Sequence, residues 1–420
     1  MHLYDVPLLF ALVGLVLYVV LGGADFGAGF WQLFAGRGEQ AERVREHAHR
    51  SMAPVWEANH VWLIFVLVVM WTSYPEAFGS IASTLSIPLF AAGVGIVLRG
   101  AAYALRSGTR GGRELRLVDT DFSLASILTP FALGTVVGGI AAGRVPVGNA
   151  QGDPWSSWLN ATSLAVGVLA VALSAYLAAV YLAADAVRHG DEELERAFRV
   201  RALGAGVVAG VAAAVGLVVV RDDARGLFDE LVSGAGLAML LLSALAGVAT
   251  LALVVARRYE PSRYSAAVAV TAVIAGWAVA QAPALLPGRL TVEQAAASHD
   301  TLVATTIAVV GGAVVLFPSL LLLFRLTLGG QLGEDHGDGG GATAAAPLRA
   351  LSSTRTGLLV RLAIAFGIAG FGFLTIADAG WAHAIGVPCL FLFALLGFRA
   401  TVPLEGPDGA HWLSAPGEQE

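Results

Sequence analysis

The chain has 420 residues, of which 57% are hydrophobic and 13% charged, where soluble domains carry about 25% charged residues. With a mean hydropathy of +0.73, a soluble globule is excluded, and lipid is the solvent for much of the surface. All 25 basic residues are arginine and the formal net charge is -6, which leaves neither a nucleic-acid-binding face nor an acidic tail.

Apolar runs of bilayer-crossing length, about 20 residues, are predicted in chain order at 8–34, 54–74, 78–105, 120–143, 159–186, 202–220, 231–256, 265–287, 302–326, 357–377 and 382–400. The segments are long and continuously apolar, unlike the alternating strands of about ten residues in a membrane β-barrel. The expected fold is therefore an all-α, polytopic transmembrane helical bundle. Arginines alternate along its loops: nineteen fall on one side and four on the other (Arg144, Arg221, Arg225, Arg289), while Arg99 and Arg361 lie inside spans. The positive-inside rule makes the arginine-rich side cytoplasmic, with the N-terminus outside and an odd number of spans. Residues 1–7 hold Asp5 and no arginine, so the first span is expected to stay in the mature protein rather than act as a signal peptide.

Residues 191–201 alternate acidic and basic side chains, as a cytoplasmic surface helix does. In the eighth span, Gln281, Pro283 and Pro287 predict a kink. Residues 333–347 read as a polar, Gly/Ala-rich linker, in which His336 is expected to be solvated. The predicted organisation is a transmembrane core at 1–330, a cytoplasmic linker at 331–355, two additional helices at 356–402 and a cytoplasmic tail at 403–420. Beyond the linker, Arg361 is expected to snorkel, and Asp378 and His383 to flank the outward turn between the last two spans.

Ionisable side chains are costly in hydrocarbon and mark candidate functional sites. Asp25, in GGADFGAGF, lies about 13 Å short of the cytoplasmic end of the first span at 1.5 Å per residue. Glu57 and His60, in SMAPVWEANHVWL, lie roughly 8–12 Å into the second span, and Arg99 about 9 Å from the cytoplasmic end of the third. Glu57 and His60 share a helix face. Arg99 is a countercharge for Asp25 or for Glu57, and the glycines around Asp25, with a GxxxG step at Gly23 and Gly27, admit a close neighbour. Two readings follow: a buried ion pair that fixes helix register, or a proton or ion path.

A membrane b-type haem needs axial His or Met ligands projecting into the bundle. Of nine histidines only His60 and His383 lie near or within spans, at opposite faces, and Met1, Met52, Met70 and Met239 give His60 no convincing partner. The single cysteine, Cys389, excludes an internal disulfide, a cysteine-held iron–sulfur cluster and C-x-x-C-H attachment. No cofactor and no metal is expected on this chain.

These residues resemble subunit II of the cytochrome bd-type quinol oxidases. The likeness is carried by GGADFGAGFW around Asp25, APVWEANHVWL around Glu57 and LRGAAYALR around Arg99. DTDFSLASILTPFALGTVVGG, AVYLAADA and ASHDTLVATTIAVVGGAVVLFPSLLLLFRL follow in order. The resemblance implies a haem-free subunit of the bacterial cytoplasmic membrane, paired with a haem-bearing subunit I. That partner would hold haem b and haem d, accept electrons from quinol and reduce oxygen to water. The resemblance also implies that an acid at Glu57 helps admit protons from the cytoplasm, with Asp25 in the same polar region, and that Trp62, with Trp56, lies on an oxygen route or a partner contact. Two positions depart from the family pattern. Ala104 stands where many relatives carry an acid after the span-three arginine, and Gly22 where some carry the first of two acids. The last two spans have no counterpart in the family core.

A different class of function is a proton-coupled secondary transporter acting without a haem partner. Such proteins have inverted repeats and broken helices around a midplane site, whereas the polar cluster here sits towards one face.

Overall fold

The computed structural model describes the backbone of residues 2–106, 113–328, 362–363, 365–370 and 380–401. Side chains are described there except at 52–58, 104, 106, 113–117, 315–328, 380–384 and 397–401. Two compact units divide the chain, Met1–Ser319 and Leu320–Glu420.

In the first unit, helix α1 (Asp5–Leu33) packs against α2 (Glu39–Ser73), α5 (Arg113–Ala141) and α6 (Ala161–Arg188). Its residues Gly22–Gly29 are all buried, because an Ala/Gly-rich segment lets neighbours close in on every side. At Gly27 a Cβ would run into the carbonyl of Ser174 on α6. The N-terminal half of α2 is amphipathic: Ala41, Val44 and Ala48 are buried, whereas Arg43, Glu46 and Arg50 form surface ion pairs.

The expected third span is two helices, α3 (Pro75–Thr84) and α4 (Ser86–Arg106). Pro88 has no N–H to offer the Thr84 carbonyl, which breaks the ladder at Leu85. At the other membrane face, α6 ends where Gly190 takes φ +69° and the Gly190 and Asp191 amides return to the Val187 and Ala186 carbonyls. Asp191 then caps α7 (Glu192–Asp223), accepting from the Leu194 amide at 3.0 Å and the Glu193 amide at 3.2 Å. The charged stretch 191–201 and the span expected at 202–220 thus form one continuous helix.

A short α8 (Arg225–Leu231) leads into α9 (Gly234–Val255) and α10 (Tyr259–Gln281). The eighth span stops at Gln281 rather than kinking onward. Residues up to 291 form an antiparallel hairpin, β1 (Ala284–Leu286) with β2 (Leu290–Thr291), followed by α11 (Val292–Ala295), which a Thr291–Gln294 capping box opens. α12 (His299–Leu328) completes the described elements of the region.

Two cores result. One surrounds Leu177, Leu182 and Phe198 where α6 meets α1, α2, α7, α9 and α10. The other gathers Tyr74, Leu85, Val145, Leu286 and Leu290, so that the hairpin closes the end of the bundle opposite the arginine-rich loops. In the second unit, Gly367 and Gly370 admit Phe393 and Leu390 of helix α13 (Gly380–Thr401).

Among the described residues, seven helices are long and apolar enough to cross a bilayer, and Asn59–Ser73, His299–Val314 and Ile385–Leu396 are shorter apolar stretches. The chain is a multi-pass helical membrane protein. Residues 329–361 and 402–420 lie outside the described residues, and with them the predicted linker, His336, Arg361 and the tail; Asp378 does too, and so does the side chain of His383.

Candidate functional site

The centre of the described structure is an ion pair. Arg99 on α4 donates through Nη1 to Asp25 Oδ2 at 2.5 Å and through Nη2 to Oδ1 at 2.5 Å. Nη2 also donates to the Asp25 carbonyl at 2.9 Å. Arg99 is 0% and Asp25 1% exposed. Two parallel N–H···O bonds from a planar guanidinium give both charge compensation and a fixed orientation. The guanidinium carbon also lies 4.7 Å from the Phe26 ring centroid and 4.6 Å from that of Phe122 on α5. One arginine thus ties α1, α4 and α5 together by hydrogen bonds and cation–π contacts.

The pair belongs to a stripe. Tyr18, Gly22, Asp25, Gly29 and Gln32 recur at steps of three and four residues, hence on one face of α1, and all are buried. Asn59, 0% exposed on α2, abuts Gly22, where a Cβ would stand 2.5 Å from its Nδ2. Along the stripe the Tyr18 hydroxyl, both amide atoms of Asn59, both of Gln32 and Arg99 Nε are buried without a hydrogen-bond partner among the described residues. Groups of this kind are ordinarily satisfied by internal water.

The sequence-predicted residues divide accordingly. Asp25 and Arg99 are in direct contact. His60 stands on α2 one residue past Asn59 and is half-buried. Trp62, also half-buried, meets Phe65 edge to face at 6.2 Å between centroids. The backbone of Trp56 and Glu57 continues α2, and their side chains lie outside the described residues, as does that of Ala104.

Spacing alone pointed past several participants. Tyr18 and Gln32 are seven residues either side of Asp25, a legible helical repeat, but neither carries a formal charge. Phe26 and Phe122 sit inside quoted motifs as ordinary apolar residues. A second polar group lies towards the arginine-rich end of the bundle: Ser51 Oγ donates to Asp185 Oδ2, and His47 Nε2 donates to the Leu182 carbonyl at 3.0 Å. His189 Nδ1 lies 2.9 Å from the Asp185 carbonyl. Nearby, Arg43 bridges Asp191 at 2.6 Å and Glu193. The Leu194 amide, followed by Arg43, holds the Asp191 carboxyl below its ordinary range against an opposing effect of burial. Among the described residues no three His, Cys, Asp or Glu side chains converge as a metal site would require.

The model of the cytochrome bd terminal oxidase subunit II family matches residues 3–327. Cytochrome bd ubiquinol oxidase subunit 2 of Bacillus subtilis strain 168 is 27% identical over 134 residues, 32% of this chain and 39% of that protein. Cytochrome bd-I ubiquinol oxidase subunit 2 of Escherichia coli K12 is 25% identical over 134 residues, 31% of this chain and 35% of that protein. The aligned region thus spans little more than a third of either relative. In three dimensions the chain is similar to one from the structure of the bd oxidase of Geobacillus thermodenitrificans, with a TM-score of 0.66 and 25% identity. That likeness covers 78% of this chain and 99% of that one.

Proposed function

The chain belongs to the cytochrome bd terminal oxidase subunit II family, and from that premise we propose that it is subunit II of a quinol:oxygen oxidoreductase in a bacterial cytoplasmic membrane. The observation that carries this reading is the family match over residues 3–327, supported by a fold shared with nearly the whole of a bd oxidase chain. Its partner is a haem-bearing subunit I, where quinol is oxidised and oxygen reduced.

Among the described residues, the donor set does not fit a b-type haem. Among the described side chains within spans, the histidine is His60 and the methionines are Met70 and Met239. Met70 lies ten residues beyond His60 on the same helix, about 15 Å along its axis, so the two cannot face each other across one haem plane. Met239 on α9 packs against Gly276 of α10, and these placements support the proposal that the haems belong to the partner.

Within this chain the polar residues take two roles. Asp25 and Arg99 form an anchor: a carboxylate gripped at both oxygens by a permanently charged guanidinium is committed to its partner. Glu57, with His60 one turn further along α2, is the proton-handling group that brings protons from the cytoplasmic side towards the partner. Trp56 and Trp62 border an oxygen route or the partner contact. Unpartnered polar atoms on the adjoining α1 face support hydration of this region.

The test is purification of the tagged chain from its own host in mild detergent, with a reduced-minus-oxidised spectrum. A stoichiometric haem-bearing partner and quinol-driven oxygen uptake are expected. A haem-free chain purifying alone would overturn the reading and favour a transporter.

A further inference from the structure

A recess of about 410 Å³ opens on the arginine-rich side of the bundle, where the end of α1, the start of α2 and α7 meet. Arg37, Gln40 and Arg201 supply its polar lining, and Val44, Ala197 and Val200 its apolar one. We propose that this recess holds the phosphate headgroup of an anionic phospholipid from the cytoplasmic leaflet.

Unspent positive charge is the first reason. Arg201 lies 5.7 Å from the Trp31 ring and 5.4 Å from the Phe198 ring, and its hydrogen bond runs to the Ala197 carbonyl of its own helix at 3.1 Å. Arg37 is exposed in the connection between α1 and α2. Among the described residues, neither forms an ion pair with a carboxylate: Asp191 and Glu193 bind Arg43, Glu42 binds Arg45 and Glu192 binds Arg196, while Glu39 at the start of α2 is exposed and is bridged to neither. Two guanidinium groups and a carboxamide around one cavity match the oxygens of a phosphate.

The second reason is what borders the cavity. Phe34 is 56% exposed, Leu33 37% and Val200 72%, so the charged recess adjoins exposed apolar side chains suited to acyl chains. A free phosphate would use the arginines and leave that rim wet, whereas a phospholipid satisfies both. Basic recesses between transmembrane helices on the cytoplasmic side are where acidic headgroups bind. A zwitterionic lipid would bring its own ammonium group against Arg37 and Arg201, which favours phosphatidylglycerol or cardiolipin.

The purified protein, with whatever subunits accompany it, is titrated in detergent with phosphatidylglycerol, phosphatidylcholine or inorganic phosphate while its Tm is followed. Phosphatidylglycerol should raise Tm and the other two should not. Arg37→Gln removes an exposed charge without touching the packed rings, and should weaken the phosphatidylglycerol response about fivefold in midpoint concentration, the worth of one arginine at a lipid surface. Arg201→Gln should weaken it similarly. If that variant fails to fold, Arg37→Gln alone decides. An equal response to phosphatidylcholine, or an unchanged midpoint in Arg37→Gln, would overturn the site, and an equal Tm rise with inorganic phosphate would overturn a lipid as its occupant.

Discussion

Arg99 puts a permanent charge where almost no water reaches it, and its stability there depends on Asp25 and the two flanking rings. Breaking a buried pair by removing one partner costs about 3–5 kcal/mol, because the survivor is left charged and uncompensated, whereas removing both is far milder. Asp25→Asn and Arg99→Leu should each lower the thermal stability and membrane yield of the chain by an amount of that order. The double variant should lose clearly less than the two combined. Additive losses in that cycle would show that the residues do not depend on each other. The likeness in depth of Asp25 and Arg99 was legible from the 1.5 Å helical rise, but the choice between Asp25 and Glu57 as partner was not. Rise fixes depth, while pairing depends on how each helix is rotated, and that is set by packing such as Asn59 against Gly22 and α6 against Gly27. Rotation of α5 likewise decides that Phe122 faces the guanidinium, a contact that no spacing within α5 announces.

At the scale of elements, α1 against α6 is the seam that sets the position of Asp25. Gly27→Ala would drive a methyl group into the backbone carbonyl of Ser174, and backbone cannot swing aside as a side chain can. The variant should cost several kcal/mol, in the range of severe overpacking, whereas Gly210→Ala on α7, which meets nothing within 4 Å, should be neutral or slightly stabilising through helix propensity. Equal behaviour of the two in a thermal melt would remove the seam from the account. The α6–α7 junction carries a separate prediction. Asp191→Ala removes both the cap of α7 and the partner of Arg43, and should cost about 1 kcal/mol locally, read as faster hydrogen exchange at the Glu193 and Leu194 amides. Asp191→Asn keeps the cap acceptor and should retain much of the protection. Since the folded state holds the Asp191 carboxyl below its ordinary range, its contribution is complete above the unfolded pKa and fades as pH falls through the lower folded one. Asn should abolish that acid dependence. Helix identity along the chain was legible because apolar runs of this length have one stable form in lipid, yet local chemistry redrew the edges. Pro88 split a span at Leu85, and the Pro283–Pro287 region became a hairpin. The charged residues from Glu192 to Arg201 joined the following span, since nothing between them stops a helix.

At the scale of the whole molecule, the proposed activity consumes protons, and under the proposed function this chain would carry them past the closed Asp25–Arg99 ion pair. Each proton crossing the full membrane potential exchanges about 2.3 kcal/mol per 100 mV, and a group that relays it must bind and release it on every turnover. Asp25, held at both oxygens, is built to stay put, and the proposed division of labour gives that role to Glu57. Glu57→Gln preserves size and hydrogen-bonding capacity while removing the exchangeable acid. The assembled complex should keep its haem spectrum, while quinol-driven oxygen uptake falls at least about tenfold, equivalent to roughly 1.4 kcal/mol on the limiting barrier, with charge uptake into vesicles falling in step. Arg99→Leu should behave oppositely, losing haem and assembly together with activity, because it removes an anchor and no relay. Unchanged turnover in Glu57→Gln would assign α2 an anchoring role as well and require the protons to enter through the partner subunit.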